Sequence, residues 1–444
     1  MKPYSLQQLA HAMSGSLLQG GEDCIISAGV STDTRSIATG ALFFALKGEN
    51  FDAHHFLVRA AEAGAGALVV QNDSDLPEGV PVVLVNDTLE ALQALAKWYR
   101  IKLGIPVVAI TGSNGKTSTK DLTRSVLSQK FRVNATLGNL NNHIGLPLTV
   151  LSTEADDEVG VFEMGMNHSG ELAPLCEIGQ PDVSIITNIG TAHIEHLGSR
   201  EAIAVEKGTV ARALSEKGTL LVPGDCDYVE QFRASTPARV ITVGDGVIRA
   251  ENIMSGESGS SFDLVIDGLG TVRTSIAVSG RHMISNALLA AGAGFVLGLT
   301  LDEISAGLGN AELTSGRLRR YFSNEVTVID DTYNANPESV IAALETLAGF
   351  PGGGRRIAAL GIMAELGDHA AAAYPKIGRI AADLKLTVVT VGEDAKAYGP
   401  NHHFNTREEA ATWLSEETSP GDIVLFKGSR MAAMERVMKL AFPE

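Results

Sequence analysis

The run Val107-Val-Ala-Ile-Thr-Gly-Ser-Asn-Gly-Lys-Thr-Ser-Thr119 constrains this chain more than any other stretch. Four apolar residues after Pro106 read as a buried parallel strand, Gly112 to Gly115 as a tight turn, and the residues from Thr117 onward as a helix. A strand, a glycine turn and a helix start gather backbone N–H groups and a helix N-terminus at one point, a geometry that binds a phosphate chain. Lys116 can reach the outer phosphates, and the Thr117 hydroxyl can hold a Mg2+ ion. The full P-loop pattern wants glycine at position 110, where this chain has Ile110. A plain glycine turn is the competing reading, but Gly-Lys-Thr after an apolar strand favours a nucleoside triphosphate site.

The rest of the chain must explain what that site serves. At 444 residues it exceeds one hydrophobic core, so about two to three domains are expected. With 45% apolar and 20% charged residues it reads as a globular protein. A net charge of −17 argues against a nucleic-acid or anionic-membrane surface, which would need clustered Lys and Arg. Cys24, Cys176 and Cys226 are too widely spaced for a metal or disulfide framework. The N-terminal residues lack a signal-peptide apolar core, and no run approaches a membrane span. A cytoplasmic setting, no membrane insertion and a monomer are the expectations.

The pattern along the chain is α/β throughout, in three domains. Residues 1–85 read as a small α/β unit with strands at Ala67-Leu-Val-Val70 and Val82-Val-Leu-Val85. Its polar stretches Ser31-Thr-Asp-Thr-Arg-Ser36 and Lys47-Gly-Glu-Asn-Phe-Asp-Ala-His54 are binding loops or solvated turns; spacing alone leaves both open. Leu89 to Leu103 has helical periodicity. Residues 86–313 read as a central P-loop domain on a parallel sheet, with an antiparallel excursion over 248–278 and a buried helix from Gly280 to Leu297. Residues 314–444 read as a C-terminal Rossmann-like domain without a dinucleotide fingerprint of its own, with helices at Glu338–Leu347 and Met431–Leu440.

Within that frame a few side chains stand out. Glu163 ends the apolar run Val159-Gly-Val-Phe-Glu163, where a lone carboxylate is costly unless paired, metal-bound or able to reach solvent. His193 follows the next strand and is a candidate Mg2+ ligand, with a surface histidine as the alternative. Lys207, in Ala202-Ile-Ala-Val-Glu-Lys-Gly, reads by spacing as a solvated helix lysine.

Taken in order, the motifs resemble the Mur ligase family of peptidoglycan synthesis. They are Thr111-Gly-Ser-Asn-Gly-Lys-Thr117, Gly138-Asn-Leu-Asn-Asn-His-Ile-Gly-Leu-Pro147, Glu163-Met-Gly-Met-Asn-His168, Thr187-Asn-Ile-Gly-Thr-Ala-His193, Gly280-Arg-His-Met-Ile-Ser-Asn286, Ser315-Gly-Arg317 and Asp330-Asp-Thr-Tyr-Asn-Ala-Asn-Pro337. Together they span essentially the whole chain. The forms Gly-Asn-Leu-Asn-Asn, Asp-Asp-Thr-Tyr-Asn-Ala-Asn-Pro and Phe426-Lys-Gly-Ser-Arg430 imply an activity that adds D-alanyl-D-alanine to UDP-N-acetylmuramoyl tripeptide. The resemblance implies ATP as cosubstrate, two Mg2+ ions and an acyl-phosphate intermediate.

It also implies roles residue by residue. Thr111, Gly112, Ser113, Asn114, Gly115, Lys116, Thr117 and Ser118 would hold the phosphates, Asn286 the base, and Arg317 and Asp331 the same nucleotide from the third domain. Thr117 and Glu163 would hold one Mg2+, with His193 and a carbamylated Lys207 serving the second; Lys116, Glu163, His193 and Lys207 form the catalytic set. Ser31, Asp33, Thr34, Arg35 and Lys47 would bind the UDP-sugar, with Asn139 and Asn142 also on the muramoyl substrate. Lys427, with Ser429 and Arg430, would meet the dipeptide. Other readings are a ligase adding the preceding stem residue, a folylpolyglutamate-type ligase, or a P-loop switch that makes no bond.

Overall fold

The computed structural model of the chain describes residues 1–21, 23–256 and 259–443. Over these residues the strands form sheets of two, five, nine and six members, and the α/β class holds throughout. The five-stranded sheet lies near the N-terminus, with Val82–Leu84, Ala67–Val70, Leu42–Phe44 and Val30–Ser31 parallel and Ser16–Gln19 antiparallel at one edge. Helix Thr88–Leu103 leads out of it. The Asp87 side chain caps the helix by accepting the N–H groups of Leu89 and Glu90, both at 2.8 Å, and Gly104 ends it in a left-handed turn.

The central sheet runs in the order Val133–Ala135, Val159–Glu163, Val107–Thr111, Val183–Ile186, Thr219–Pro223, Arg239–Val243 and Ile248–Gly256, all parallel. Gly259–Ile266 and Gly270–Ile276 then extend it antiparallel, the excursion expected from the Gly- and Ser-rich pattern. Strands Thr219–Pro223 and Arg239–Val243 were not among the sequence expectations. Successive residues of Val107–Thr111 serve opposite faces, Val107 and Ala109 joining one buried core and Val108 and Ile110 the other. The first of these cores is continuous with the N-terminal sheet, through Leu42, Phe44, Val69 and Val83, by way of Leu92, Leu95 and Tyr99 of helix Thr88–Leu103.

The six-stranded sheet runs Arg319–Ser323, Val326–Asp331, Ile423–Lys427, Arg356–Leu360, Thr387–Val391 and His402–Phe404, parallel except for its first strand. It has a core on each face. Near the C-terminus the expected single helix is split into a short 3-10 turn at Arg430–Ala432 and helix Met434–Ala441, because Ala433 sits at a φ of 51° and breaks the run. No helix among the described residues is long and apolar enough to cross a membrane.

Candidate active site

In the central sheet the chain leaves strand Val107–Thr111 toward one side and later crosses to the other, so crossovers diverge at its carboxyl end. Ligands settle at such points in parallel sheets. The turn that follows is shaped by its glycines. A Cβ on Gly112, whose φ is 149°, would lie 1.8 Å from Thr187 Oγ1. On Gly115, at a φ of 80°, it would lie 2.8 Å from Asn286 Oδ1, so only glycine fits at either position. Ile110, by contrast, is fully buried between Glu163 and Ile185 of the flanking strands. That position belongs to the sheet core, which accounts for an apolar residue where the P-loop pattern has glycine.

The loop after strand Val183–Ile186 braces the turn. Ser113 Oγ accepts the Gly190 N–H at 2.9 Å, and the Asn114 N–H donates to Asn188 Oδ1 at 3.0 Å. Lys116 starts helix Lys116–Leu127 and donates to Gly112 O at 2.8 Å, folded back over its own loop. Burial pushes its ammonium below the ordinary lysine pKa, with Glu163 opposing the shift and Arg317 adding to it.

Glu163 is 2% exposed at the end of its strand. Its Oε1 accepts from Asn141 Nδ2 at 2.7 Å, while Oε2 is buried without a hydrogen-bond partner. An unpaired buried carboxylate oxygen is costly unless a cation meets it. Glu163 and the Thr117 hydroxyl are hard oxygen donors, so these residues fit Mg2+. Among the described residues no group of three or more His, Cys, Asp and Glu could hold a metal. A Mg2+ here would therefore take its remaining ligands from phosphate and water, as that ion usually does.

A second sheet edge faces the first. Asp331 and Lys427 end adjacent strands of the six-stranded sheet, register partners whose side chains pair at 2.6 Å, and Lys427 also donates to Asn334 O at 2.9 Å. Between the edges lies a cavity of about 530 Å³. Of the residues singled out from sequence, Ser113, Asn114, Gly115, Lys116, Ser118, Asn139, Asn142, Glu163, His193, Asn286, Arg317, Asp331 and Lys427 line it. The Arg317 guanidinium lies over the Tyr333 ring, 4.3 Å from its centroid.

The others lie outside that lining. Gly112 and the buried Thr111 and Thr117 sit behind it, in the strand, turn and helix start. Lys207 corrects the expectation of a solvated helix lysine: it is 1% exposed at the end of helix Arg200–Lys207. Its neighbour Glu206 turns away to accept the N–H groups of Gly170 and Leu172 at 2.9 and 3.0 Å. Burial, followed by the nearby Lys116 charge, lowers the Lys207 pKa well below the usual value, with Glu206 opposing.

Ser31, Asp33, Thr34, Arg35 and Lys47 belong to the N-terminal sheet region, which meets the central domain along a seam. Strand Val30–Ser31 packs against helix Gly145–Ser152, whose start is held by Asn142 Oδ1 accepting the Gly145 N–H at 2.8 Å. Ser31 Oγ accepts the Asp33 N–H at 3.2 Å, and Arg35 clamps Asp33 at 2.6 Å, holding that carboxyl at a pKa of about 2. Lys47 is exposed, 3.9 Å from Asp52.

Sequence reasoning missed the residues that join the two edges. Asn336 Nδ2 donates to Asn114 Oδ1 at 2.7 Å. Glu338 accepts the Thr191 N–H at 3.1 Å and its hydroxyl at 3.0 Å. Glu365 accepts from His193 Nδ1. Asn336 and Glu338 lie in or next to the quoted Asp330–Pro337 motif, and Glu365 follows a parallel strand's carboxyl end, so the strand-end rule could have flagged all three.

A P-loop on a parallel sheet, closed by the carboxyl edge of a second α/β sheet, defines a nucleotide-dependent enzyme whose site is split between domains. Residues 27–100, 110–294 and 316–430 match the family models described as "Mur ligase family, catalytic domain", "Mur ligase middle domain" and "Mur ligase, glutamate ligase domain". The chain belongs to the Mur ligase family. It is 36% identical to UDP-N-acetylmuramoyl-tripeptide–D-alanyl-D-alanine ligase of Bacillus subtilis, over 98% of this chain and 97% of that one. Among solved structures it resembles MurF from Acinetobacter baumannii, with a TM-score of 0.93, 32% identity and full coverage of both chains. It also resembles MurF ligase from Thermotoga maritima in complex with ADP, with a TM-score of 0.84, 27% identity, and 93% and 96% coverage of the two chains.

Proposed function

We propose that this chain is an ATP-dependent ligase that joins D-alanyl-D-alanine to the terminal carboxylate of UDP-N-acetylmuramoyl tripeptide. The observation that carries the reading is a relationship to ligases of that name along 98% of the chain. The cavity supports it by bringing P-loop, Glu163 and third-domain charges together.

The reaction is phosphoryl transfer followed by acyl transfer. A tripeptide carboxylate oxygen attacks the γ-phosphorus of ATP and ADP leaves, giving an acyl phosphate. The dipeptide amine then attacks the acyl carbon, phosphate departs, and the nitrogen loses a proton to give the amide. Such chemistry depends on positioning and charge neutralisation more than on a nucleophilic side chain. The turn from Thr111 to Ser118 cradles the phosphates, with Lys116 on the outer ones. Asn286 meets the base, and Arg317 and Asp331 hold the nucleotide from the third domain. Thr117 and Glu163 would hold one Mg2+, and His193 with Lys207 would serve a second. When bound, Mg2+ neutralises charge on the transferring phosphoryl group.

Lys207 acts here as its carbamate. Its neutral amine, which burial favours, adds to CO2 and loses a proton, leaving an anion that a hard cation prefers. Ser31, Asp33, Thr34, Arg35 and Lys47 bind the UDP-sugar, with Asn139 and Asn142 on the muramoyl side. Lys427 faces the dipeptide. The working division is residues 1–85 for the UDP-sugar, 86–313 for ATP and 314–444 for closure over the nucleotide, in a monomeric cytoplasmic enzyme.

Phosphate release measured with ATP and UDP-muramoyl tripeptide, with and without D-alanyl-D-alanine, tests the reading. Stoichiometric phosphate and amide only with both substrates is the expected result. Slow hydrolysis indifferent to either substrate would favour a P-loop switch instead.

A further inference from the structure

The third sheet reaches the central domain through an acidic loop as well as through Asn336 and Glu338. Glu365 lies after strand Arg356–Leu360, in a left-handed conformation with a φ of 60°. Its target, His193, is also left-handed, with a φ of 64°. Neither is glycine, so each backbone is in a sparsely populated region that its surroundings must hold. They hold it doubly. The His193 Nδ1 and the Glu365 carboxylate are hydrogen-bonded, and Glu365 O accepts the Glu195 N–H at 3.3 Å. The Glu195 side chain lies against Gly367, within 3.2 Å of where its Cβ would be. His168 and His196, whose rings are 4.5 Å apart, add their field to the same carboxylate.

The chemistry of this contact is one-sided. Glu365 keeps 40% of its side chain exposed, and an ionised carboxylate can only accept a hydrogen bond. The shared proton therefore belongs to His193 Nδ1. In the neutral ring that leaves the lone pair on Nε2, on a residue that lines the cavity. A carboxylate behind a ligating imidazole is how ring orientation and ligand basicity are commonly set. Here that carboxylate comes from another domain.

We propose that Glu365 is a positioning residue for the ligation reaction, and that docking of its loop fixes His193 as the Nδ1–H tautomer with Nε2 free for the cavity. The third domain thus completes the central domain's site through an imidazole it contacts only from behind, at Nδ1. Undocked, His193 has no such partner, and its ring is free to rotate and to exchange tautomers. The inference rests on the ligase reading for its kinetic arm; the tautomer is read in the docked protein, with an ATP analogue and muramoyl tripeptide bound and no ligation required.

Nitrogen-15 NMR of the full-length protein, metal-free and saturated with an ATP analogue and muramoyl tripeptide so that the loop is docked, reports which ring nitrogen carries the proton, with His193 assigned by its loss in His193→Gln. The wild type should show Nδ1 protonated. Glu365→Gln, which keeps the shape, and Glu365→Ala should both lose that preference, and Glu365→Asp should restore part of it. Glu195→Ala, which loosens the same seam but keeps the carboxylate, should leave the tautomer unchanged. In the ligase assay, Glu365→Gln should lower kcat by roughly 10- to 100-fold, the usual cost of losing a partner behind a ligating histidine, with KM for the muramoyl tripeptide nearly unchanged. A wild-type His193 protonated on Nε2, or a Glu365→Gln protein with unchanged tautomer and kcat, would overturn the proposal. If the NMR arm succeeds while no variant or wild-type protein ligates, the functional reading fails and the positioning contact stands.

Discussion

At the scale of single residues, the buried Oε2 of Glu163 is the sharpest signal in the molecule. Glu163 is 2% exposed, and an unpaired carboxylate oxygen so buried is costly unless a cation meets it. Removing it should cost on the order of 10²-fold or more in turnover, with a smaller effect on UDP-substrate affinity. Steady-state kinetics of Glu163→Ala and His193→Ala at limiting Mg2+ check this, and near-normal rates in both would dismantle the metal shell assigned to them. Lys207 makes a second case. Mass spectrometry of gently handled protein should find one added CO2 on its Nζ, and Lys207→Ala should lose ligation while remaining folded. Full activity in that variant would end its role. The sequence left Lys207 looking like a surface residue because it and Glu206 are adjacent charges at the end of helix Arg200–Lys207. Its burial comes from packing by residues distant in the chain, which no local periodicity records.

At the scale of elements, helix Lys116–Leu127 does more than begin at the phosphate turn. One turn in, Asp121 Oδ2 accepts both the N–H and the hydroxyl of Thr314 at 2.8 Å, and Oδ1 pairs with Lys120 at 2.9 Å. Lys120 in turn donates to Thr136 O at 2.9 Å. The nucleotide helix therefore holds the start of the connection to the third sheet. Asp121→Ala would leave the half-buried Thr314 donors unpaired and the buried Lys120 ammonium without its counter-charge, a loss of about 1–3 kcal/mol per unsatisfied group. A lower urea midpoint is the expected outcome, and an unchanged one would show that the anchor carries little stability. The helix and its strand were readable because apolar run, glycine turn and polar helix start occur within thirteen consecutive residues. The antiparallel excursion and helix Arg281–Val296 were readable for the same local reason. The pairing of Asp331 with Lys427 was not, since it follows from strands Val326–Asp331 and Ile423–Lys427 lying side by side across 96 positions of sequence. The contacts of Asn336, Glu338 and Glu365 were hidden similarly: each side chain is legible as polar, but its partner is set by how two sheets face each other.

At the scale of the whole molecule, the cores say which parts move together. The N-terminal sheet shares one buried core with the central sheet, and Arg100 of the connecting helix ties them further by donating to Gly179 O at 2.8 Å. Among the described residues the cores of the third sheet have no buried residue in common with the central ones, although the half-buried Leu318 packs against one of each. Across that divide the cavity is closed by polar contacts from Asn336, Glu338 and Glu365. Contacts of this kind between domains are modest, and hinged motion is the default where they dominate. The pivot has a defined place. Thr314 is anchored to Asp121, and Gly316, two residues on, sits at a φ of 80° with its carbonyl accepting the Tyr333 N–H at 3.3 Å. Proline is held near −65° and cannot adopt that backbone. Gly316→Pro should therefore disfavour the docked arrangement and slow turnover more than it weakens nucleotide binding, because the P-loop itself lies wholly in the central domain. In the wild type, docking would exclude water from an acyl phosphate that otherwise hydrolyses. Small-angle scattering should show a larger radius of gyration without ligands than with an ATP analogue and muramoyl tripeptide together. The Gly316→Pro protein should stay expanded in both conditions. An unchanged wild-type radius at proven occupancy of both ligands would count against closure as the step that assembles this site.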